Sequence, residues 1–136
     1  MRALTALALS LLAGCSLKTE TDDALAGSRW TITAIDGDAT ADPRKTRLEF
    51  KSGQLAANIG CNGISGPWRV ENGRLVAGPL IQTEIYCEGP VWQQEKALSA
   101  LLASAPRIAL EEDRLTLLSN GHDARMERIN PPQSAR

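Results

Sequence analysis

Few side chains in this chain are placed to act in catalysis. The single histidine, His122, follows Asn120-Gly121 in a predicted hairpin turn, where a solvated role is commoner than a role as base or ligand. No serine lies in a G-x-S-x-G elbow, so nothing favours a Ser-His-Asp triad, although the sequence leaves one open. Glu84 and Glu88, or the cluster 111–113, could hydrolyse glycosidic bonds at a separation of about 5–9 Å, but solvated turns explain them more simply. We therefore predict no catalytic residues and no enzyme activity.

Cofactor and nucleic-acid binding are also not indicated. The chain has no phosphate loop, dinucleotide fingerprint or calcium loop, and its histidine is far in sequence from the cysteines. The formal net charge is −1, with acidic and basic residues mixed, whereas nucleic-acid binding needs a clustered basic face. We predict no cofactor, no metal and no nucleic-acid partner.

Cys15 indicates where the protein is located. It ends Leu12-Ala13-Gly14-Cys15, after an apolar run that follows Arg2 and is too short to span a bilayer. These four residues resemble the lipobox of bacterial lipoprotein precursors. The resemblance implies cleavage before Cys15, which would carry diacylglycerol and an N-acyl chain such as palmitate; an ordinary secretory signal is the alternative. Because Ser16 rather than Asp follows, we expect lipid anchoring in the outer membrane, facing the periplasm.

Without the signal peptide and the polar ends, the chain is long enough for one domain with one core. We predict four segments in the full chain, which are a lipoprotein signal peptide at 1–14, a flexible tether at 15–24, a folded domain at 25–129 and a disordered tail at 130–136.

Cys61 and Cys87 are the two thiols left if Cys15 is lipidated. In an exported, oxidising compartment such a pair usually forms a disulfide, and we predict one here. Metal ligation is the competing interpretation, but the two residues lack C-x-x-C spacing.

Short alternating segments separated by turns predict mostly strands. Asn72-Gly73 between two such runs is a strong hairpin signal. The run 90–104 differs, because it consists of helix formers with an apolar stripe, begins at Pro90 and is stopped by Pro106. We therefore predict an α+β fold, in which a small twisted, partly closed antiparallel β-sheet is covered by one α-helix.

The segment 60–68 has the highest density of residues with special backbone or side-chain properties, namely glycine, proline, asparagine, cysteine and tryptophan. Its glycines and Asn62 predict a bulge or tight bend, cross-linked through Cys61 and followed by Trp68, a large apolar side chain whose N–H needs a partner. Because a rigid bend loses little entropy on binding, we predict a candidate binding surface at Asn62, Ile64 and Trp68. A purely structural corner of the sheet is the alternative.

A family resemblance is carried by the same residues. Gly60-Cys61-Asn62 with Gly66 and an aromatic at 68 resembles the G-C-N-x-x-x-G-x-Y motif of the META domain, or HslJ-like, family. Further matches follow in the family's order, namely Thr83 to Cys87 for T-x-M-x-C, Glu95 for a helical Glu and Gly27 to Trp30 for the G-x-W start. The chain departs from the pattern with Trp68 for Tyr and Ile85 for Met. The resemblance implies a small α+β envelope domain and supplies no catalytic residues.

Together these observations predict a lipid-anchored envelope protein that is a stress-response or binding module and not an enzyme. We expect it to contact the membrane through Cys15 and to have an envelope protein partner. The alternative is a lipoprotein inhibitor of an exported hydrolase that uses a rigid turn as a plug; a hydrolase of unknown substrate is a third interpretation.

Overall fold

The computed structural model describes residues 20–130. Helices α1 and α2 span Glu20–Leu25 and Pro90–Ala103, and Pro43–Lys45 form a short 3-10 helix. The strands are β1 Arg29–Ile35, β2 Asp38–Ala39, β3 Arg47–Phe50, β4 Gln54–Asn58, β5 Gly63–Glu71, β6 Arg74–Ala77, β7 Ile81–Gln82, β8 Arg107–Glu111, β9 Arg114–Ser119 and β10 His122–Arg128.

Eight of these strands form a closed antiparallel barrel in the order β1-β3-β4-β5-β6-β8-β9-β10, while β2 and β7 are short additions beside β1 and β5. Closure occurs where β10 pairs with β1 from Trp30 opposite Arg128 to Ile35 opposite Ala124. The predicted α+β sheet, partly closed and covered by one helix, is therefore wrong, because the fold is mostly β and the barrel is closed. Pairing the last strand with the first satisfies backbone groups that an open sheet would leave exposed.

The barrel interior follows from the period-two alternation of the strands, which sends every second side chain inward. Fully buried pairs two residues apart occur on several strands, at Trp30 and Ile32, Leu48 and Phe50, Leu55 and Ala57, Leu115 and Leu117, and Ala124 and Met126. Burying each large apolar side chain contributes about 1.5–3 kcal/mol. The interior is thus a packed hydrophobic core.

Helix α2 confirms the prediction over 90–104 to within one residue. Leu98, Leu101 and Leu102 are fully buried and join the core cluster of the barrel, and the helix packs against β1, β6, β9 and β10. Its N-terminal half carries a buried charged residue, Glu95, which accepts hydrogen bonds from Asn62.

The segment 60–68 differs from its prediction. The turn ends at Asn62, and Gly63–Glu71 run as one continuous strand through Gly66 and Pro67. A Cβ atom at Gly66 would lie 2.5 Å from the carbonyl oxygen of Pro79. Glycine at this position therefore permits close backbone approach within a strand and does not mark a bend.

The start of the domain also differs. Helix α1 includes residues 20–24, which belong to the predicted tether, and the Asp22 carboxylate accepts a hydrogen bond of 3.2 Å from the Val70 amide. Cys15, the predicted signal peptide at 1–14, the rest of the tether and residues 131–136 of the tail lie outside the described residues. Between residues 20 and 130, no helix is long and apolar enough to cross a membrane.

Candidate functional site

Asn62 is the centre of a polar cluster that joins the turn after β4, helix α2 and the segment before that helix. Its side chain is buried and makes four hydrogen bonds, two as donor and two as acceptor. An amide group has two N–H donors and two acceptor lone pairs, so all of its hydrogen-bonding groups are used. Its Oδ1 accepts from the Thr83 hydroxyl at 2.9 Å and from the Ile85 amide at 2.7 Å. Its Nδ2 donates to the Ile85 carbonyl at 3.0 Å and to the Glu95 carboxylate at 2.9 Å.

Glu95 connects this cluster to helix α2. The residue is 1% exposed, and its Oε1 accepts a second hydrogen bond, of 2.6 Å, from the backbone amide of Asn62. A buried carboxylate is costly unless its oxygens are hydrogen-bonded, and here each oxygen has a short N–H donor from the same residue. The pair therefore fixes the turn after β4 against the helix.

The anchored segment, residues 81–87, is named the strap. Its β7 part pairs with β5, with Ile81 opposite Ser65 and Gln82 opposite Ile64. The Thr83 amide then donates to the Gly63 carbonyl at 3.1 Å. At its end Cys87 forms a disulfide with Cys61, with Cα atoms 6.2 Å apart, so the structure joins the two cysteines that the sequence pairs. The strap is thus held along its length by a ladder, an amide side chain and a covalent bond.

The residues of the predicted binding surface, Asn62, Ile64 and Trp68, do not form one exposed patch. Asn62 and Ile64 are each 1% exposed; Ile64 belongs to the hydrophobic core, and Asn62 contributes only to the lining of a cavity. Trp68 is half-buried, packs edge-on against Phe50 at a centroid distance of 4.9 Å and donates its indole N–H to the Lys51 carbonyl at 2.9 Å. These residues support the barrel and the strap from within.

The exposed apolar surface lies on the strap itself. Ile81, Ile85 and Tyr86 are 74%, 62% and 77% exposed, and among the described residues Leu118 is the other large hydrophobic side chain in this class. Half-buried Trp92, from the first turn of α2, lies 6.2 Å from Tyr86 between ring centroids. We name Ile81, Ile85, Tyr86 and Trp92 the strap patch.

A cavity of about 410 Å³ adjoins the strap patch, lined by Tyr86 and Trp92 and floored by Asn62 and Glu95. The Lys96 ammonium lies 5.0 Å from the Trp92 ring centroid at the side of the patch, in cation–π contact. The patch therefore combines aromatic faces with a concave surface, which is typical of sites that bind other molecules.

Glu84 on the strap and Glu88 directly after it are the acidic residues beside the strap patch. Both are exposed, and within residues 20–130 neither side chain has a hydrogen-bond or ion-pair partner. The backbone groups of Glu84 and Tyr86 are likewise unpaired within this range, whereas those of Thr83 and Ile85 are directed at the barrel. Alternate residues of an extended chain face opposite edges, so the outer edge of the strap is open.

The other candidate catalytic groups do not assemble with this site. His122 Nδ1 lies 2.8 Å from Asp36 Oδ2, and Ser119 is opposite His122 in the β9–β10 ladder without a hydrogen bond between their side chains. Partial burial tends to raise the pKa of Asp36, but hydrogen bonds from the Asp123 amide and from His122 together outweigh it and leave that pKa below its usual value. This arrangement lacks the contact between nucleophile and base that a triad requires.

Metal ligands are not gathered either. Across residues 20–130 no group of three or more His, Cys, Asp or Glu side chains is placed to hold an ion. Glu111 ends β8, and Glu112 and Asp113 form the β8–β9 turn, so these carboxylates are not part of the strap.

Four motif elements that are separated in the sequence are brought together in the fold. Gly60-Cys61-Asn62, Thr83 to Cys87 and Glu95 meet in one hydrogen-bonded cluster, and Gly66 allows the approach of the chain that leads into the strap. A family model, the META domain, matches residues 23–131. The chain belongs to the META domain family. In this META domain, the motif residues thus have a structural role, which is to hold the strap.

Solved structures share this fold. An NMR structure of a protein is 22% identical, covers 80% of this chain and 95% of its own, and has a TM-score of 0.71. An NMR structure of a protein from Burkholderia xenovorans is 19% identical, covers 95% and 100%, and has a TM-score of 0.67. A crystal structure of a DUF4847 family protein from Bacteroides vulgatus is 11% identical, covers 79% and 96%, and has a TM-score of 0.54. No curated protein matches the chain.

Proposed function

We propose that this META domain protein is a lipid-anchored, non-enzymatic binding module of the bacterial envelope. Its strap patch would hold a polypeptide segment of a partner protein. The observation that carries the proposal is the exposure of Ile81, Ile85 and Tyr86 on a segment fixed by Asn62 and by a disulfide. Folding alone does not require three large apolar side chains in water on a rigid segment, and exposed apolar patches mark interaction sites.

The rigidity of the strap supports this role. Ile85 is held from both its amide and its carbonyl by Asn62, and Cys87 is covalently attached to the barrel. A surface that is already ordered before binding loses little conformational entropy when a partner arrives, so more of the contact energy remains as affinity.

The chemistry of the strap indicates a partner segment that is apolar and basic. The patch presents aliphatic and aromatic side chains, and the unpaired carboxylates of Glu84 and Glu88 complement Lys or Arg. The open edge at Glu84 and Tyr86 would pair with the backbone of an extended segment, as in β-augmentation. We therefore favour an extended peptide segment over a membrane surface or a second copy of this chain.

Anchoring depends on Cys15, which follows the apolar run Ala3 to Ala13. Two or more acyl chains hold a protein firmly on a bilayer, whereas a single chain binds marginally. In cell fractionation we expect Cys15→Ser to leave unprocessed precursor or to release soluble protein. A Cys15→Ser protein that matures and partitions with membranes like the wild type would contradict the anchoring proposal.

The binding proposal can be tested by photo-cross-linking in intact cells, with a photoreactive amino acid in place of Tyr86. We expect one principal adduct, in which the cross-linked peptide has apolar residues next to Lys or Arg. Ile85→Ser should abolish it. Leu118→Ser is the matched control, because Leu118 is 43% exposed but lies on β9, away from the strap, and should leave the adduct unchanged.

Charge reversal separates the specific complex from unspecific labelling. Glu84→Lys with Glu88→Lys should reduce the adduct, because it would place cations opposite a basic segment. An adduct with a second copy of this chain, labelling of lipid only, or equal yields from all variants would contradict a peptide partner at this site. If the captured partner is an exported hydrolase and the META domain protein lowers that hydrolase's activity, the META domain protein is an inhibitor.

A further inference from the structure

A second surface, far from the strap in sequence, has the composition of an anion site. It lies at the seam where β6 meets β8. These two strands share the fewest paired residues of any neighbours in the barrel, because only Arg74 is opposite Arg107. A cavity of about 530 Å³ opens there and is lined by Arg74, Ser104, Arg107, Leu118, Ser119 and Asn120. We name it the seam cavity.

The two arginines form an unfavourable pair unless an anion joins them. Side chains directly opposite each other in antiparallel strands lie about 4.5–5.5 Å apart at Cβ, and like charges in such positions are destabilising. Within residues 20–130 neither Arg74 nor Arg107 forms an ion pair with a carboxylate. The lining of the seam cavity contains no acidic residue.

Neighbouring carboxylates are engaged with other arginines. Glu71 is opposite Arg74 on the β5 side, but its Oε2 accepts from Arg69 at 3.0 Å. Asp123 lies beyond Leu118 in the ladder and is 3.9 Å from Arg125. The pair of positive charges at the seam is therefore left without a dedicated counterion in this part of the chain.

The remaining donors suit a tetrahedral oxyanion. Arg74 donates one N–H to the Ala105 carbonyl at 3.0 Å, which positions its guanidinium and leaves other N–H groups available. Ser119 and Asn120 add a hydroxyl and an amide whose side chains have no hydrogen-bond partner within residues 20–130. Ser104 donates its hydroxyl proton to the Leu101 carbonyl and contributes only an acceptor.

We propose that the seam cavity binds a phosphate-type oxyanion between Arg74 and Arg107, with Ser119 and Asn120 as further donors. Arginine forks bind phosphate oxygens in pairs, and charge-assisted hydrogen bonds are the strong ones. The bound anion removes the repulsion between the two arginines. The same chemistry is offered by a soluble phosphate compound and by a phospholipid headgroup, which is near a protein anchored to a membrane.

The test uses the full chain carrying Cys15→Ser, which cannot be acylated, and inorganic phosphate as the probe at constant ionic strength. We expect saturable changes in the backbone amide NMR signals of Arg74, Arg107, Ser119 and Asn120. Arg107→Gln should weaken binding at least about tenfold, since one charge-assisted contact is lost. Arg44→Gln is the control, because it removes the same charge at a site away from the seam, where Arg44 is paired with Asp42. It should change binding less than about twofold.

Protein stability provides an independent readout. Arg107→Gln should leave the melting temperature without phosphate unchanged or higher, because it removes a like-charge contact, so lost binding cannot be ascribed to unfolding. Phosphate should raise the melting temperature of the Cys15→Ser chain and not that of the same chain carrying Arg107→Gln as well.

Vesicles distinguish the two sources of the anion. Binding to phosphatidylglycerol but not to phosphatidylcholine, and its loss in Arg107→Gln, would identify a headgroup. Response to phosphate without vesicle binding would identify a soluble phosphate compound. The proposal is overturned if phosphate gives no saturable change at millimolar concentration, or if Arg107→Gln responds like the parent chain.

Discussion

Replacing Asn62 with alanine should lower the free energy of unfolding by about 3–5 kcal/mol. The side chain makes three hydrogen bonds to neutral groups, each contributing about 1 kcal/mol, and one to the Glu95 carboxylate, which contributes about 1.5–3 kcal/mol. Water reaching the exposed strap offsets part of this loss. The buried Glu95 would keep only the hydrogen bond from the backbone amide at position 62.

Asn58→Ala is the matched control. Asn58 lies at the end of β4, just before the same turn, and its Oδ1 accepts a single exposed hydrogen bond, of 2.7 Å, from the Gly60 amide. Removing it should lower the free energy of unfolding by about 0.5–1.5 kcal/mol. The same substitution at two asparagines four positions apart thus separates the buried cluster from an ordinary turn contact.

Urea denaturation of the Cys15→Ser chain gives both free energies directly. The melting temperature should fall by at least about 10 °C for Asn62→Ala. If that variant does not fold, Thr83→Ala removes one bond of the cluster, at 2.9 Å, and should speed hydrogen exchange at the Ile85 amide. Equal losses for Asn62→Ala and Asn58→Ala, with unchanged exchange at Ile85, would refute the argument that Asn62 holds the strap.

Three further predictions concern the core, the disulfide and pH. Ile64→Ala should cost about 2–5 kcal/mol in denaturation, whereas Ile85→Ala on the exposed strap should cost less than about 0.5 kcal/mol; similar losses would place Ile64 outside the core. Replacing Cys61 and Cys87 together by alanine should cost about 3.5 kcal/mol by loop entropy, and an unchanged denaturation midpoint would contradict this. Asp36 has a lowered pKa in the folded state, so its contribution is present above pH about 4 and is lost as pH falls; the stability difference between wild type and Asp36→Asn should shrink on acidification, and a constant difference would contradict it.

Much of the fold follows from local sequence patterns. Alternation in β1, β3 and β9 and the Asn72-Gly73 turn place strands and a hairpin where the structure has them. Barrel closure could not be predicted, because it depends on pairing between β1 and β10, which are separated by most of the chain. Period-two patterning shows which face of a strand is buried but not which distant strand lies beside it.

The site was only partly predictable for a related reason. The glycines and Asn62 indicate a special backbone, and the cysteine count predicts the disulfide, but the local sequence does not show that Asn62 and Ile64 are buried. Asn62 can be buried because Glu95, 33 positions away in the sequence, accepts its hydrogen bonds, and a local pattern does not show this contact. The available signal for the strap patch was Ile85-Tyr86 between two glutamates, since adjacent residues of an extended strand on a barrel cannot both face inward.

The central claim is that the strap patch binds a polypeptide segment. Its most direct test is the affinity of a synthetic peptide, with the sequence captured by cross-linking at position 86, for the Cys15→Ser chain and its variants. Ile85→Ser should weaken binding by about 10–100-fold, because burying an isoleucine contributes about 1.5–3 kcal/mol, while Leu118→Ser should leave the dissociation constant within about twofold. Equal affinity of the Ile85→Ser chain and its parent would contradict the account.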